Sequence, residues 1–187
     1  MIPGITLHRP ADGLETAAAW ADAVARRSGP TLIIATRQKL PEIPRAAGFD
    51  AGDLLRGAYV AVEASRAPDV ILIATGSEVG VAMEARTLLE AKGIAARVVS
   101  MPSVEVFDRQ DAAWKASVLP EGPARVAIEA GRPDGWYRFV GRDGLVFGIE
   151  SFGASAPAPA LFDYFGLTGP KVAARVGEWL AGRRGRS

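Results

Sequence analysis

VILIATGSEV, residues 70–79, is the stretch that decides the fold. Val70 to Thr75 is a short continuous apolar run, rich in β-branched residues, of the kind that forms a strand buried on both faces of a parallel sheet. Gly76-Ser77-Glu78 then turns the chain, and Val79, Ala82, Met83, Leu88 and Leu89 recur at helical spacing up to Gly93. A strand feeding straight into a helix is half of a βαβ unit. Arg97 to Met101, stopped by Pro102, supplies the next strand.

The alternation continues outward in both directions. Ala58 to Glu63 reads as a strand. Asp108 to Leu119 reads as one helix ended by Pro120 and Gly122, and Arg125 to Ala130 as a strand ending in Glu129 and Gly131. A short helix or turn at Trp136-Tyr137-Arg138-Phe139 leads through Asp143-Gly144, a turn dipeptide, to a strand from Leu145 to Ile149. Helices over 157–165 and 170–180 close the chain, the second with Val172, Val176, Trp179 and Leu180 on one stripe. The pattern predicts an α/β fold in three layers, α/β/α, with a mostly parallel sheet of about five strands.

The opening residues belong to something else. Pro10, Asp12 and Glu15 predict a helix start with a capping box, and Leu14, Ala17, Ala18, Ala21, Val24 and Ala25 follow at helical spacing. Ser28-Gly29-Pro30 stops that helix, and Thr31 to Thr36 reads as a buried strand. One helix and one strand cannot cover both faces of a sheet, so residues 1–40 read as the remnant of another α/β domain. Residues 41–57, punctuated by Pro41, Pro44, Gly48 and Gly52, read as an interdomain linker, and 58–187 as the second domain. Leu32-Ile33-Ile34-Ala35-Thr36 resembles Ile71-Leu72-Ile73-Ala74-Thr75, but buried strands draw on few residue types, and coincidence accounts for the likeness.

Composition excludes several classes of function. The chain has 187 residues, 49% of them hydrophobic, and a formal charge of +1, which offers no field for nucleic acid or a membrane surface. It contains no cysteine, which removes disulfides, thiolate metal sites and a cysteine nucleophile, and which fits a cytoplasmic protein. No apolar run approaches the roughly 18 residues of a membrane span. Residues 1–10 lack the pattern of a signal peptide. His8, the single histidine, reads as a surface or connector residue, and the basic tail from Arg183 as a solvated, frayed end.

Ligands of α/β sheets gather beyond the carboxyl ends of the strands, and two such ends invite attention. Arg37 follows the first. Its planar fork matches a phosphate or carboxylate, and an interdomain salt bridge is the other reading. Gly76-Ser77-Glu78 follows the second. The helix start there attracts anions, whereas Ser77 as a plain N-cap is the simpler account and Glu78 opposes an anion. Asp108, Asp111, and Glu129 near Arg132, read as solvated or salt-bridged rather than as catalytic acids.

Several phrases together resemble the transketolase family. They are Arg9-Pro10-Ala11-Asp12 with Glu15-Thr16-Ala17 and Ala19-Trp20; Gly29-Pro30-Thr31 with Thr36-Arg37-Gln38-Lys39-Leu40-Pro41; Ile73-Ala74-Thr75-Gly76-Ser77-Glu78-Val79; Arg97-Val98-Val99-Ser100-Met101-Pro102; and Phe152-Gly153-Ala154-Ser155-Ala156-Pro157-Ala158. Their order and spacing agree from about Pro3 to Leu180. The resemblance implies the end of a pyrimidine-binding module, a linker and a complete C-terminal domain. It implies a homodimeric, cytoplasmic enzyme that uses thiamine diphosphate and Mg to move a two-carbon ketol unit between sugar phosphates. Arg37 matches the family's substrate-phosphate arginine, with Thr36 in place of the usual serine. The GDG motif for diphosphate and metal, the cofactor glutamate and the catalytic histidines have no counterpart here, and His8 matches none of them. The fragment alone is therefore expected to be inactive and to bind no cofactor without its missing N-terminal modules. The alternatives are a non-catalytic anion-binding or assembly module, or the same part of another thiamine enzyme such as a deoxyxylulose phosphate synthase or a dehydrogenase beta subunit.

Overall fold

The computed structural model describes residues 2–46 and 48–184. In chain order the elements are β1 (Thr6–His8), α1 (Gly13–Ala25), β2 (Thr31–Ile33), β3 (Tyr59–Val62), β4 (Val70–Ala74), α2 (Glu78–Glu90), β5 (Ala96–Ser100), α3 (Val104–Asp108), α4 (Ala112–Val118), β6 (Ala124–Ile128), α5 (Tyr137–Val140), β7 (Leu145–Phe147), α6 (Ala158–Tyr164) and α7 (Gly169–Arg184). The main sheet has five strands in the order β3-β5-β4-β6-β7. Pairing is parallel throughout except at the edge, where β3 runs antiparallel to β5 with a bulge between Val60 and Val62.

Side-chain alternation along β4 separates the two cores. Val70, Leu72 and Ala74 point toward α2 and α7, where they meet Val79, Ala82, Leu89, Val172 and Val176. Ile71 and Ile73 point the other way, toward Phe107, Val118, Phe139 and Val140 of α3, α4 and α5. Every residue of β4 is fully buried, as the continuous apolar run predicts. The three-layer α/β/α architecture is thus present. Gly57 sits at the entry to β3 with φ +82, and a Cβ there would lie 2.3 Å from the Phe107 nitrogen, so glycine lets the linker pass under α3.

Four local expectations are corrected. The helix expected over 108–119 spans only Ala112–Val118, and a separate helix, Val104–Asp108, precedes it; Ser103 caps the first and Asp111 the second, each accepting from the backbone N–H three residues on. The strand over 31–36 spans only Thr31–Ile33, with Leu32 and Ile34 half exposed. A strand that the sequence pattern does not reveal, β1, pairs with it in parallel, Thr6 opposite Thr31 and His8 opposite Ile33. His8 is consequently buried, its Nε2 2.9 Å from Asp22 Oδ2, rather than a surface residue.

The apolar stripe of α1 faces outward: Leu14 and Val24 are exposed, as is Trp20, while Glu15 and Ala19 are the residues that α1 buries. The linker carries a 3₁₀ turn at Ala51–Arg56. Of the basic tail, Arg183 lies in α7 and donates to the carbonyl of Asp143; residues 185–187 fall outside the described residues.

Candidate functional site

Arg37 stands four residues beyond the end of β2. The Ile34 N–H donates to the His8 carbonyl (2.8 Å), after which the chain leaves the small sheet. The Thr36 hydroxyl donates to the Gln38 carbonyl (3.0 Å), closing a short turn with Arg37 at its middle. The guanidinium is exposed and makes no hydrogen bond or ion pair among the described residues. The interdomain salt bridge offered to Arg37 by the sequence is made instead by two other arginines, Arg45 and Arg9.

Arg45, between β2 and β3, completes a buried network. Its Nη1 donates to Asp12 Oδ2 (2.7 Å) and its Nη2 to the Tyr59 hydroxyl (2.8 Å). That hydroxyl donates to Glu15 Oε1 (2.7 Å), which also accepts from Ser100 Oγ (2.6 Å). Glu15 Oε2 takes the Ala11 N–H (2.7 Å), so the capping carboxylate reaches one residue further back than a capping box would place it. Asp12 caps α1 through the Glu15 N–H (2.9 Å) and also accepts the Ile43 N–H (3.1 Å). Burial raises the Glu15 carboxyl above its ordinary range, and the hydrogen bonds from Ser100 and Tyr59 only partly offset it. For Asp12, burial opposes ionisation too, but Arg45 and two backbone N–H groups prevail and hold it low. The start of α1, the segment at Ile43–Arg45, β3 and β5 thus meet at one polar joint.

Arg9 makes the second joint, at the carboxyl ends of β4 and β6. One nitrogen pairs with Glu129 Oε2 and the other with Glu78 Oε2 (3.1 Å). Beside it lies a cleft of about 180 Å³, with Leu7, Met101, Val104 and Trp136 as apolar walls and Glu105 and Arg138 at its rim. Neither reading of the Gly76-Ser77-Glu78 turn describes this place. Ser77 makes no capping hydrogen bond; its hydroxyl donates to Glu78 Oε1 (2.7 Å). Two carboxylates and an arginine fill the position where an anion would sit.

The remaining acids are structural. Asp108 pairs with Arg138 (2.8 Å), Asp111 caps α4, and Arg132 pairs with Asp134 (2.8 Å) rather than with its sequence neighbour Glu129. Sequence reading passed over Arg9 and Arg45 as site-forming residues. The signal available for Arg9 was its place beside Pro10-Ala11-Asp12. Arg45 sits in a patternless linker that gave none. Among the described residues no group of three or more His, Asp or Glu side chains is placed to hold a metal ion, and no helix is long and apolar enough to cross a membrane.

Comparison with known proteins now bears on this geometry. The family model for the transketolase-like TK C-terminal domain matches residues 57–168, more than half of the chain. The chain belongs to the transketolase family. Transketolase 2 of Pasteurella multocida is 50% identical over 184 residues, covering 96% of this chain and 27% of that enzyme. Transketolase of Aquifex aeolicus is 48% identical over 182 residues, with 96% and 26% covered. A solved Pichia stipitis transketolase in complex with sedoheptulose 7-phosphate superposes with a TM-score of 0.89 at 38% identity, covering 98% of this chain and 26% of that one. A split-gene transketolase, described as an inactive beta4 tetramer, superposes with a TM-score of 0.74 at 28% identity, and this chain covers 59% of it. The chain therefore spans about a quarter of the length of the curated transketolases it matches, and the matched part is their C-terminal portion.

Proposed function

We propose that this chain is the C-terminal part of a cytoplasmic, homodimeric transketolase of the pentose phosphate pathway. That enzyme transfers a two-carbon ketol unit from a ketose phosphate to an aldose phosphate, using thiamine diphosphate and Mg held by other modules. Residues 1–40 close the pyrimidine-binding module, 41–57 form the linker and 58–187 the C-terminal domain; the start of the family match at residue 57 supports that division. Arg37 contributes the positive end of the substrate site.

The observation that carries this reading is the state of Arg37. It is an arginine beyond a strand end, exposed, and without a partner among the described residues, whereas Arg9 and Arg45 are committed to carboxylates. A free guanidinium on the stem of β2 suits the phosphate of a sugar phosphate, the class of ligand bound by the Pichia stipitis relative. The exposed apolar side chains Trp20, Val24, Leu32 and Ile34 lie on the same unit and await the missing module.

The test is a chimera in which this chain replaces the matching segment of Escherichia coli transketolase 1, 46% identical over 179 residues. Arg37→Ala is expected to raise KM for sugar phosphates roughly 10- to 100-fold, the loss of a charged hydrogen bond of about 1.5–3 kcal/mol. Activity on an unphosphorylated ketose should be unchanged. Equal KM values for wild type and variant on phosphorylated substrates would overturn the assignment, and turnover by the isolated chain with thiamine diphosphate and Mg would overturn the expectation that it is inactive alone.

A further inference from the structure

The main sheet reverses direction at β4: the chain leaves β4 for β5 on one side, and leaves β6 for β7 on the other. In open α/β sheets the crevice beyond the carboxyl ends of such strands is the habitual ligand position. Here Glu78, at the start of α2, and Glu129, directly after β6, both turn buried carboxylates into it. We propose that this crevice is a binding site for a guanidinium cation, filled in cis by Arg9, and that its occupancy fixes the β1–β2 unit on the sheet.

The geometry selects the chemical class. Two different nitrogens of one planar group reach two carboxylates, Nη1 to Glu129 and Nη2 to Glu78. An ammonium has a single nitrogen and cannot span them in the same way. Glu129 Oε1 is buried and has no hydrogen-bond partner among the described residues, so the site holds one acceptor more than Arg9 uses. Two carboxylates confined together away from water need a cation between them: burial first, and Glu129 besides, push the Glu78 carboxyl upward, while Ser77 and Arg9 act against that.

The backbone of Arg9 is held as tightly as its side chain. Its N–H donates to the Pro102 carbonyl (2.8 Å), and its own carbonyl accepts the Gly76 N–H (3.0 Å) and the Thr75 hydroxyl (3.3 Å). Gly76 takes a left-handed conformation at φ +57, and a Cβ there would lie in ordinary contact with Arg9 Nη2 at 3.8 Å, so the turn runs directly beneath the guanidinium. The site thus receives an arginine from the segment preceding the domain. This inference stands independently of the substrate role given to Arg37.

The test uses the 187-residue chain. Arg9→Ala removes the equivalent of ethylguanidinium. Millimolar ethylguanidinium is expected to raise the melting temperature of this variant and to shift the amide resonances of Thr75, Gly76 and Glu129, leaving the wild type unaffected. At about ten times its Kd the ligand should shift the folding equilibrium roughly tenfold. Ethylammonium should do neither, and adding Glu129→Gln should weaken ethylguanidinium binding at least tenfold. Equal effects of the two cations, or binding that survives Glu129→Gln, would overturn the proposal. Should Arg9→Ala not fold, Arg9→Lys decides. It keeps the charge but not the fork, so the amides of β1 and β2 should exchange with solvent faster while β4 is unchanged. Unaltered exchange in β1 and β2 would overturn the proposal.

Discussion

Leu32-Ile33-Ile34-Ala35-Thr36 and Ile71-Leu72-Ile73-Ala74-Thr75 are nearly the same pentapeptide, placed in two different situations. The second is the centre of a five-stranded sheet, with strands on both sides and helices on both faces, and its side chains are completely buried. The first pairs with one short strand, keeps its ladder for only part of its length, and leaves Leu32 and Ile34 about half exposed. Both end in a threonine. Thr75 turns inward to the Arg9 carbonyl, whereas Thr36 closes a local turn that presents Arg37 to solvent. Local sequence encodes the extended conformation, and the neighbours decide whether it becomes core or an open face awaiting a partner.

The two regions are also held by different physics, and this contrast can be broken experimentally. The unit containing β2 meets the five-stranded sheet through buried charged and polar groups, Arg9 with Glu78 and Glu129, and Asp12, Arg45 and Glu15 with Tyr59, besides the apolar packing of Ala11 and Ile43. Arg45→Met should have the largest effect, about 3–5 kcal/mol of lost stability in urea denaturation, because it strands the buried Asp12 carboxylate. A loss below about 1 kcal/mol would mean that the joint tolerates an unpaired charge. Ile73→Ala tests the other region and should cost about 2–5 kcal/mol through lost burial and a cavity.

A pH series of melting temperatures sharpens the picture of the joint. Asp12 has a folded-state pKa below its ordinary 3.8, so its contribution is present above that value and is lost as pH falls through the depressed one. Glu15 has a pKa raised above 4.5 and acts with the opposite sign. Above 4.5 the unfolded chain ionises first, so stability declines as pH rises until the folded carboxyl also ionises. Glu15→Gln should reduce the decline above pH 4.5, leaving the part that the raised Glu78 carboxyl contributes, and keep the acid loss below 3.8 in place. The smallest effect belongs to Ile34→Ala, the counterpart of Ile73→Ala in the matching pentapeptide. In the isolated chain it should change stability by no more than about 0.5 kcal/mol. A cost equal to that of Ile73→Ala would abolish the distinction between the two strands.

Much of the domain was legible because its signals are local and its burial two-sided. The continuous apolar run at β4 and the Val-rich segment at β5, followed by glycine or proline punctuation, mark strands whose faces are both covered. Legibility failed where an element depends on a distant partner. Thr6–His8 has no apolar alternation long enough to announce a strand, and it becomes one by pairing with Thr31–Ile33. The helical periodicity of α1 is legible, but which face it buries is not: Glu15 lies inside because Tyr59, Ser100 and Ala11 satisfy it, and most of the apolar stripe lies outside. Arg37 could be singled out from its place beyond an apolar run. The roles of Arg9 and Arg45 could not, since their carboxylate partners lie as far as 120 residues away along the chain.

Sequence alone thus determined the α/β class, the order of elements within the domain, the family likeness and the candidate phosphate arginine, all of which rest on periodicity and short contiguous phrases. Tertiary structure decided which of two like strands is core, which arginines are spent on internal carboxylates, and that Arg37 is without a partner among the described residues. Those outcomes depend on desolvation and on pairing between residues distant along the chain, and no local pattern carries them.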